Sequence, residues 1–345
     1  MELFLTPEDL ERNRKKAEKI GSPLDRLATR IPWESFRSVI EAAINSLKEP
    51  AKAPGGRPAF DLVLMFKITI LQRIYNISDE QMEFQILDRL SFQKFLGLGL
   101  ADRVPDEKTI WHFKNQLAKA GAGKKIFNQF NDFLKDNQMI LQGGMIVDAS
   151  FIEKPRQHFT KEEKEALDEG KTPESWKNPS NKARIRQLDT DARWTKKNSQ
   201  SYFGYKDHVK VHVQSKLITD YLVTDASVHD SQSIQRLITN KDAGNTLYAD
   251  SAYDGNACLL HTVLCKVNNQ IHERAYRNSP LTEEQKAKNK EKSRIRARIE
   301  HVFGFMENSM NRMCLRTIGK ARTELSIGLM NLVYNFFRYA TIQGA

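Results

Sequence analysis

The sequence predicts an α/β protein: a mixed β-sheet with flanking helices, preceded by an all-helical N-terminal region. Residues 1–140 place apolar side chains at helical spacing in several short segments separated by turn signals. After Gly143-Gly144 the pattern changes to short β-branched runs that alternate with period two. From there the order reads strand, hairpin, helix, strand, helix, strand and helix, which suits a layered α/β architecture. A chain of 345 residues suits two or three domains at roughly 150 residues each. The boundary is expected near residue 140, giving residues 1–140 and 141–345.

The first clear helix spans Phe36 to Leu47 and ends near Pro50 and the Pro54-Gly55-Gly56-Arg57-Pro58 breaker. A second is expected over Phe60–Tyr75. Ser78, with Gln81 three residues on, fits a capping box that opens a third helix with Met82, Ile86 and Leu90 on one face. Pro105–Ala118, with Trp111 read as core, and Lys124–Asn137 supply two more. The run MIVDASFIE then reads as a strand. Residues 154–200 are rich in Lys and Glu and poor in aliphatics, so an extended or partly disordered polar insertion is expected there. YFGYKDHVKVHV and KLITDYLVTDA form a hairpin closed near Gln214–Lys216. Ser231–Ile238 reads as helix, NTLYAD as strand, Ala257–Val267 as helix and Gln270–His272 as strand. A helix over about Lys290–Met313 and an apolar one over Lys320–Thr341 close the chain.

Composition narrows the function. There are 54 Lys and Arg against 43 Asp and Glu, a net charge of +11 and an isoelectric point near 9.4, which favours polyanionic partners. The excess is localised. Lys182–Lys210 has eight basic and three acidic residues, Arg274–Arg298 nine and three, and together they match the whole net charge. A mean hydropathy of −0.58 and an N-terminus that reaches charge too early for a signal peptide point to a cytoplasmic protein without a membrane partner. Cys258, Cys265 and Cys314 form no Cys-x-x-Cys pair, which leaves no support for a disulfide framework or thiolate zinc site. No Gly-rich phosphate loop, nucleophile elbow or kinase motif occurs.

The chemistry lies in acids that stand where burial is expected. Asp148 interrupts MIVDAS and Asp250 ends TLYAD. A buried carboxylate needs a cation, several backbone donors, a capping role or a metal. Neighbouring strands are about 5 Å apart, so two acids at strand ends can share one metal; a pair of turn-capping aspartates is the alternative. Glu300 falls at the edge of the stripe Ile295, Ile299, Val302, Phe303 and Met306, on one line with Ser293, Arg296 and Glu307. An Arg296–Glu300 helix pair worth about 0.3 kcal/mol is its plain alternative.

In order, VDAS, GYKDHVKVHV, LVTDASVHDS, ADSAYDG and RARIEHVFG resemble the DDE transposases of bacterial insertion sequences, especially the insertion sequence 5 family. The helical stretch from Gly56 to Leu100, with DEKTIWHFKNQL after it, is similar to that family's N-terminal domain. The resemblance implies a ribonuclease H-like catalytic domain in which Asp148, Asp250 and Glu300 hold two magnesium ions, with manganese able to substitute. It also implies cleavage at terminal inverted repeats of double-stranded DNA and strand transfer into target DNA, by a homodimer or higher synaptic oligomer at the bacterial nucleoid. A nuclease or resolvase without strand transfer, and an inactive DNA-binding derivative, are the competing functions. Related families carry Tyr-x2-Arg-x3-Glu-x6-Lys around the glutamate. Arg296 and Glu300 match here, while Ser293 and Glu307 stand at the Tyr and Lys positions.

For DNA contact the candidates are Arg294, Arg296, Arg298, Lys206 and Trp194, as phosphate-binding charges and a base-stacking ring, with edge packing the alternative for Trp194. His208 and His212 share a strand face but lie about 13 Å apart, too far for one metal. Asp230 is read as a helix cap rather than a ligand.

Overall fold

The computed structural model describes residues 6–47, 58–99, 101–140, 142–197, 199–276 and 279–344. The breaker at Pro50 and Pro54–Arg57 lies outside them. Eight helices come first: α1 (Pro7–Ile20), α2 (Pro23–Arg30), α3 (Arg37–Asn45), α4 (Leu62–Tyr75), α5 (Asp79–Asp88), α6 (Leu90–Leu96), α7 (Glu107–Lys119) and α8 (Ala122–Asp136). Then follow β1 (Gly144–Glu153), α9 (Lys161–Asp168), α10 (Lys182–Ile185), β2 (Arg193–Lys197), β3 (Gln200–His212), β4 (Ile218–Asp225), α11 (Ile234–Leu237), β5 (Thr246–Tyr248), α12 (Asn256–Leu264), β6 (Asn268–Asn269), α13 (Glu283–Arg296), α14 (Glu300–Ser309) and α15 (Lys320–Ile342). The architecture is the expected one, a mixed sheet with flanking helices behind a helical N-terminal region.

Strand β1 is central. It runs antiparallel to β3, which pairs antiparallel with both β2 and β4, and parallel to β5, which pairs parallel with β6. Period-two alternation gives the sheet two faces. Ile146, Ile152, Tyr205, Val209 and Val211 enter the main core, whereas Met145, Val147, Leu247 and Ala249 enter a smaller one with Ile234, Leu237 and Cys258. Gly204 is needed for the β1–β3 approach. Its φ is +149°, and a Cβ there would run into the carbonyl oxygen of Ile152.

The N-terminal helices share the main core with α15, which is buried along most of its length. Phe336 of α15 meets Trp33 at 5.4 Å and Phe130 at 4.7 Å between ring centroids, both edge to face, a favoured aromatic geometry. The Ser78 half of the expected cap is present, its hydroxyl accepting from Gln81 N–H at 3.2 Å. Met82 and Ile86 are buried, but Leu90 is exposed because the chain leaves helical geometry at Arg89 and Leu90 starts α6. Trp111 is also exposed, since α7 buries the stripe Ile110, Phe113 and Leu117 instead.

The polar insertion differs most from expectation. It is built around two buried acids. Glu163, its side chain 2% exposed, accepts from Arg184 through both oxygens (2.7 and 2.9 Å), from Trp176 Nε1 (2.8 Å) and from Thr160 N–H (3.0 Å). Asp189 faces Lys154 at 3.4 Å and accepts from Tyr205 Oη at 2.7 Å. Three further expectations need correction. The expected Lys290–Met313 helix starts earlier, at a Thr282/Gln285 capping box, and is broken by a 3-10 turn over Ala297–Ile299. The last short strand lies at Asn268–Asn269, not Gln270–His272. His229, not Asp230, caps the 3-10 turn Asp230–Ser233, which precedes α11.

Candidate active site

The β1–β5 register sets two of the acids side by side. Met145 pairs with Leu247 and Ile146 with Tyr248, so two residues further on Asp148 is level with Asp250. By alternation both belong to the face that carries the main core. Asp148 Oδ1 accepts its neighbour Ala149 N–H at 2.8 Å, and Asp250 caps the following 3-10 turn by accepting Ala252 N–H at 2.9 Å. The capping alternative is therefore real for Asp250, through one oxygen.

Helix α13 brings the third acid. Its Asn289 clasps the chain leaving β6, donating to Glu273 O at 3.0 Å and accepting Glu273 N–H at 3.1 Å, while Lys292 Nζ donates to Ile271 O at 2.9 Å. One turn on, Arg296 Nη1 reaches Asp148 Oδ2 at 2.8 Å. Arg298 Nη1 donates to Val213 O at 2.9 Å. Ile299, Val302 and Met306 are buried, so α14 rests on the same sheet face, with Glu300 exposed at its first position. The alternative Arg296–Glu300 pair is not among the ion pairs of the described residues, because the guanidinium turns to Asp148.

Electrostatics ties the three acids together. Burial pushes the Asp148 carboxyl up to about 6, the charges of Asp250 and Glu300 push the same way, and the Ala149 N–H and Arg296 oppose them. Asp250 and Glu300 have no ion-pair partner among the described residues. In kind these oxygen donors fit a hard divalent cation. In position they are not closed: among the described residues no group of three or more His, Cys, Asp and Glu side chains is arranged to hold a metal ion.

The remaining sequence candidates separate. Arg294 is exposed on α13. Lys206 does not belong with it. It lies on the opposite sheet face, its side chain 9% exposed, paired with Asp230 at 2.8 Å and donating to Val228 O at 2.7 Å. Trp194 is half-buried against Phe203, 5.2 Å between rings, which is the edge-packing alternative. His208 bonds Thr224 and His212 bonds Ser215, each within its own neighbourhood. At the lysine position of the family pattern, Glu307 accepts Met313 N–H at 3.0 Å and pins the turn after α14.

Sequence reasoning missed His272. Its N–H donates to Ala249 O at 3.1 Å beside Asp250, and its Nε2 lies 3.4 Å from Ser293 Oγ. Burial, then Arg296 and Lys292, hold its ring below the usual histidine range against the pull of Asp250. Its place just after the short apolar-flanked run that follows α12 was the available signal.

Comparison with known proteins identifies the family. Residues 141–336 match the transposase DDE domain, and residues 11–116 match a transposase domain, DUF772. The first match spans more than half of the chain, which therefore belongs to the transposase DDE domain family. The protein is a transposase, a polynucleotidyl transferase of a family that uses divalent metal. A solved structure with some likeness is the piggyBac transposase synaptic complex with hairpin DNA, at 11% identity and a TM-score of 0.46, over 93% of this chain and 74% of that one. Among the described residues no helix is long and apolar enough to cross a membrane.

Proposed function

We propose that Asp148, Asp250 and Glu300 are the catalytic carboxylates and metal ligands of a transposase of the insertion sequence 5 group. It cuts DNA at the terminal inverted repeats of its element and joins the ends to target DNA. The observation that carries this reading is the level placement of Asp148 and Asp250 under a helix that delivers Glu300. Two magnesium ions, replaceable by manganese, would activate the attacking oxygen and stabilise the leaving one at the scissile phosphate.

The chain's own residues set up that chemistry. Asp148 must be ionised to act as a ligand, and Arg296 with the Ala149 N–H favours that form against burial. The hydrogen bonds of Asn289 and Lys292 fix where α13, and so Glu300, enters the site. Exposed Arg294, and Arg298 on its backbone anchor, offer positive charge on the segment that leads to Glu300, for the DNA backbone. In this reading residues 1–140 form the DNA-binding and dimerisation domain. Residues 141–345, with the insertion at 154–200, form the catalytic domain of a homodimer or larger synaptic complex at the bacterial nucleoid.

The test is a labelled duplex carrying the element's end, incubated with and without magnesium and resolved on a denaturing gel, wild type beside Asp250→Asn. Metal-dependent nicked and joined products that vanish in the variant are expected. Nicks without joined species would make the enzyme a nuclease. Duplex binding with no products under permissive salt and metal would make it a DNA binder.

A further inference from the structure

The acid cluster already holds one cation, and holds it loosely. Arg296 touches Asp148 through Nη1 alone, and its Nε is buried without a partner. A guanidinium has five N–H donors and binds carboxylate or phosphate best with two at once, so this contact is half made. The oxygen it covers is also the important one. Asp148 Oδ1 already accepts the Ala149 N–H, so Oδ2 is the oxygen without a backbone donor, and Oδ2 is where Arg296 sits. The Arg296 side chain is one-quarter exposed, so it already meets solvent beside Asp148.

We infer that Arg296 is an exchangeable counter-cation: it occupies Asp148 Oδ2 until a divalent cation binds there, and the released guanidinium then grips a DNA phosphate. A phosphate would supply the second contact that Nε lacks. Metal and DNA binding would then reinforce each other through one side chain, and by linkage the reinforcement is equal in both directions. The inference rests on the assignment of Asp148 as a metal ligand.

The experiment titrates Mn2+ into the full chain without DNA, following the magnetic resonance signal of the free ion. Duplex binding is then measured by fluorescence anisotropy with and without Mn2+. Proteins are wild type, Arg296→Gln, Arg296→Lys and Asp148→Asn. Arg296→Gln should bind Mn2+ about two- to fivefold more tightly, the range a partly exposed ion pair is worth. It should also lose the gain in duplex affinity that Mn2+ gives the wild type. Equal or weaker Mn2+ binding by Arg296→Gln, with binding lost in Asp148→Asn, overturns the exchange and leaves the metal site standing. Mn2+ binding indifferent to Asp148→Asn overturns the site assignment itself. Should Arg296→Gln fail to fold, Arg296→Lys decides: near-wild-type Mn2+ affinity with reduced duplex coupling supports the exchange, and unchanged coupling overturns it.

Discussion

The two faces of the β-sheet hold charge in opposite ways. On the far face Lys206 pairs with Asp230 at 2.8 Å, and Lys210 contacts both oxygens of Asp242 (2.8 and 2.9 Å) while donating to Leu237 O at 2.9 Å. Lys206, Lys210 and Asp242 are buried and Asp230 half-buried, and each pair closes on itself. On the near face Asp148 has one single-pronged cation, and Asp250 and Glu300 have none. A closed buried pair fixes the chain around it, and removing one member leaves an expensive unpaired charge. An open acid cluster stabilises little by itself and keeps its negative potential for a ligand. Position in a strand does not distinguish the two kinds of acid; the number of donors facing each does.

The sharpest separation is therefore between activity and stability. Asp148→Asn and Glu300→Gln should each lower strand cleavage on the order of a thousandfold, the scale of losing a group that stabilises developing charge. Their melting temperatures should stay near that of the wild type, because neither removes a closed pair. Cleavage kinetics beside thermal melts checks this. Unfolding in both variants would make these acids structural. Asp242→Asn should do the reverse, costing about 3 kcal/mol by stranding Lys210, as read by chemical denaturation, with the metal requirement of cleavage unchanged.

Asp207 is the exception on the near face. It is fully buried, bonded by Asn331 Nδ2 at 3.1 Å, and burial pushes its carboxyl up to about 7 despite that bond. A raised carboxyl means the folded state holds the proton more tightly. Its favourable contribution is full below about 4 and is lost as pH rises toward about 7. Asp207→Asn should remove that loss, leaving the variant roughly 4 kcal/mol more stable at pH 8 and nearly equal to wild type at pH 4. Urea midpoints at the two pH values check it; a constant difference would mean that Asp207 does not titrate with folding.

Much of this was legible in the sequence because it follows from period and spacing. β3 and β4 announced themselves by alternation, and the 102-residue offset between Asp148 and Asp250 matches the β1–β5 register. What escaped was polar closure. The insertion reads as extended or partly disordered because composition counts Glu163, Arg184, Lys154 and Asp189 as solvated, whereas in the fold they satisfy one another. The Thr282/Gln285 box that starts α13 lies far ahead of the helix's apolar stripe, which begins only near Ile295, so periodicity does not reach it. Lys206 looked like a DNA contact because its strand neighbours are basic and aromatic, and only the register shows which face it takes.

The smallest expected effect tests that last distinction. Arg294 is exposed on α13, on the segment that leads to Glu300, so Arg294→Ala should weaken duplex binding and reduce the slope of log affinity against log salt by about one, the signature of a single lost phosphate contact. Its melting temperature should not move, since exposed substitutions rarely shift stability beyond about 0.5 kcal/mol. Lys206→Met should leave the salt slope unchanged and lower the melting temperature, because Asp230 loses its only ion-pair partner among the described residues. Anisotropy titrations at several salt concentrations, run beside melts of both variants, give the two readouts. A reduced slope in Lys206→Met would mean that the far face also meets DNA, and closed pairing would no longer mark a charge as structural.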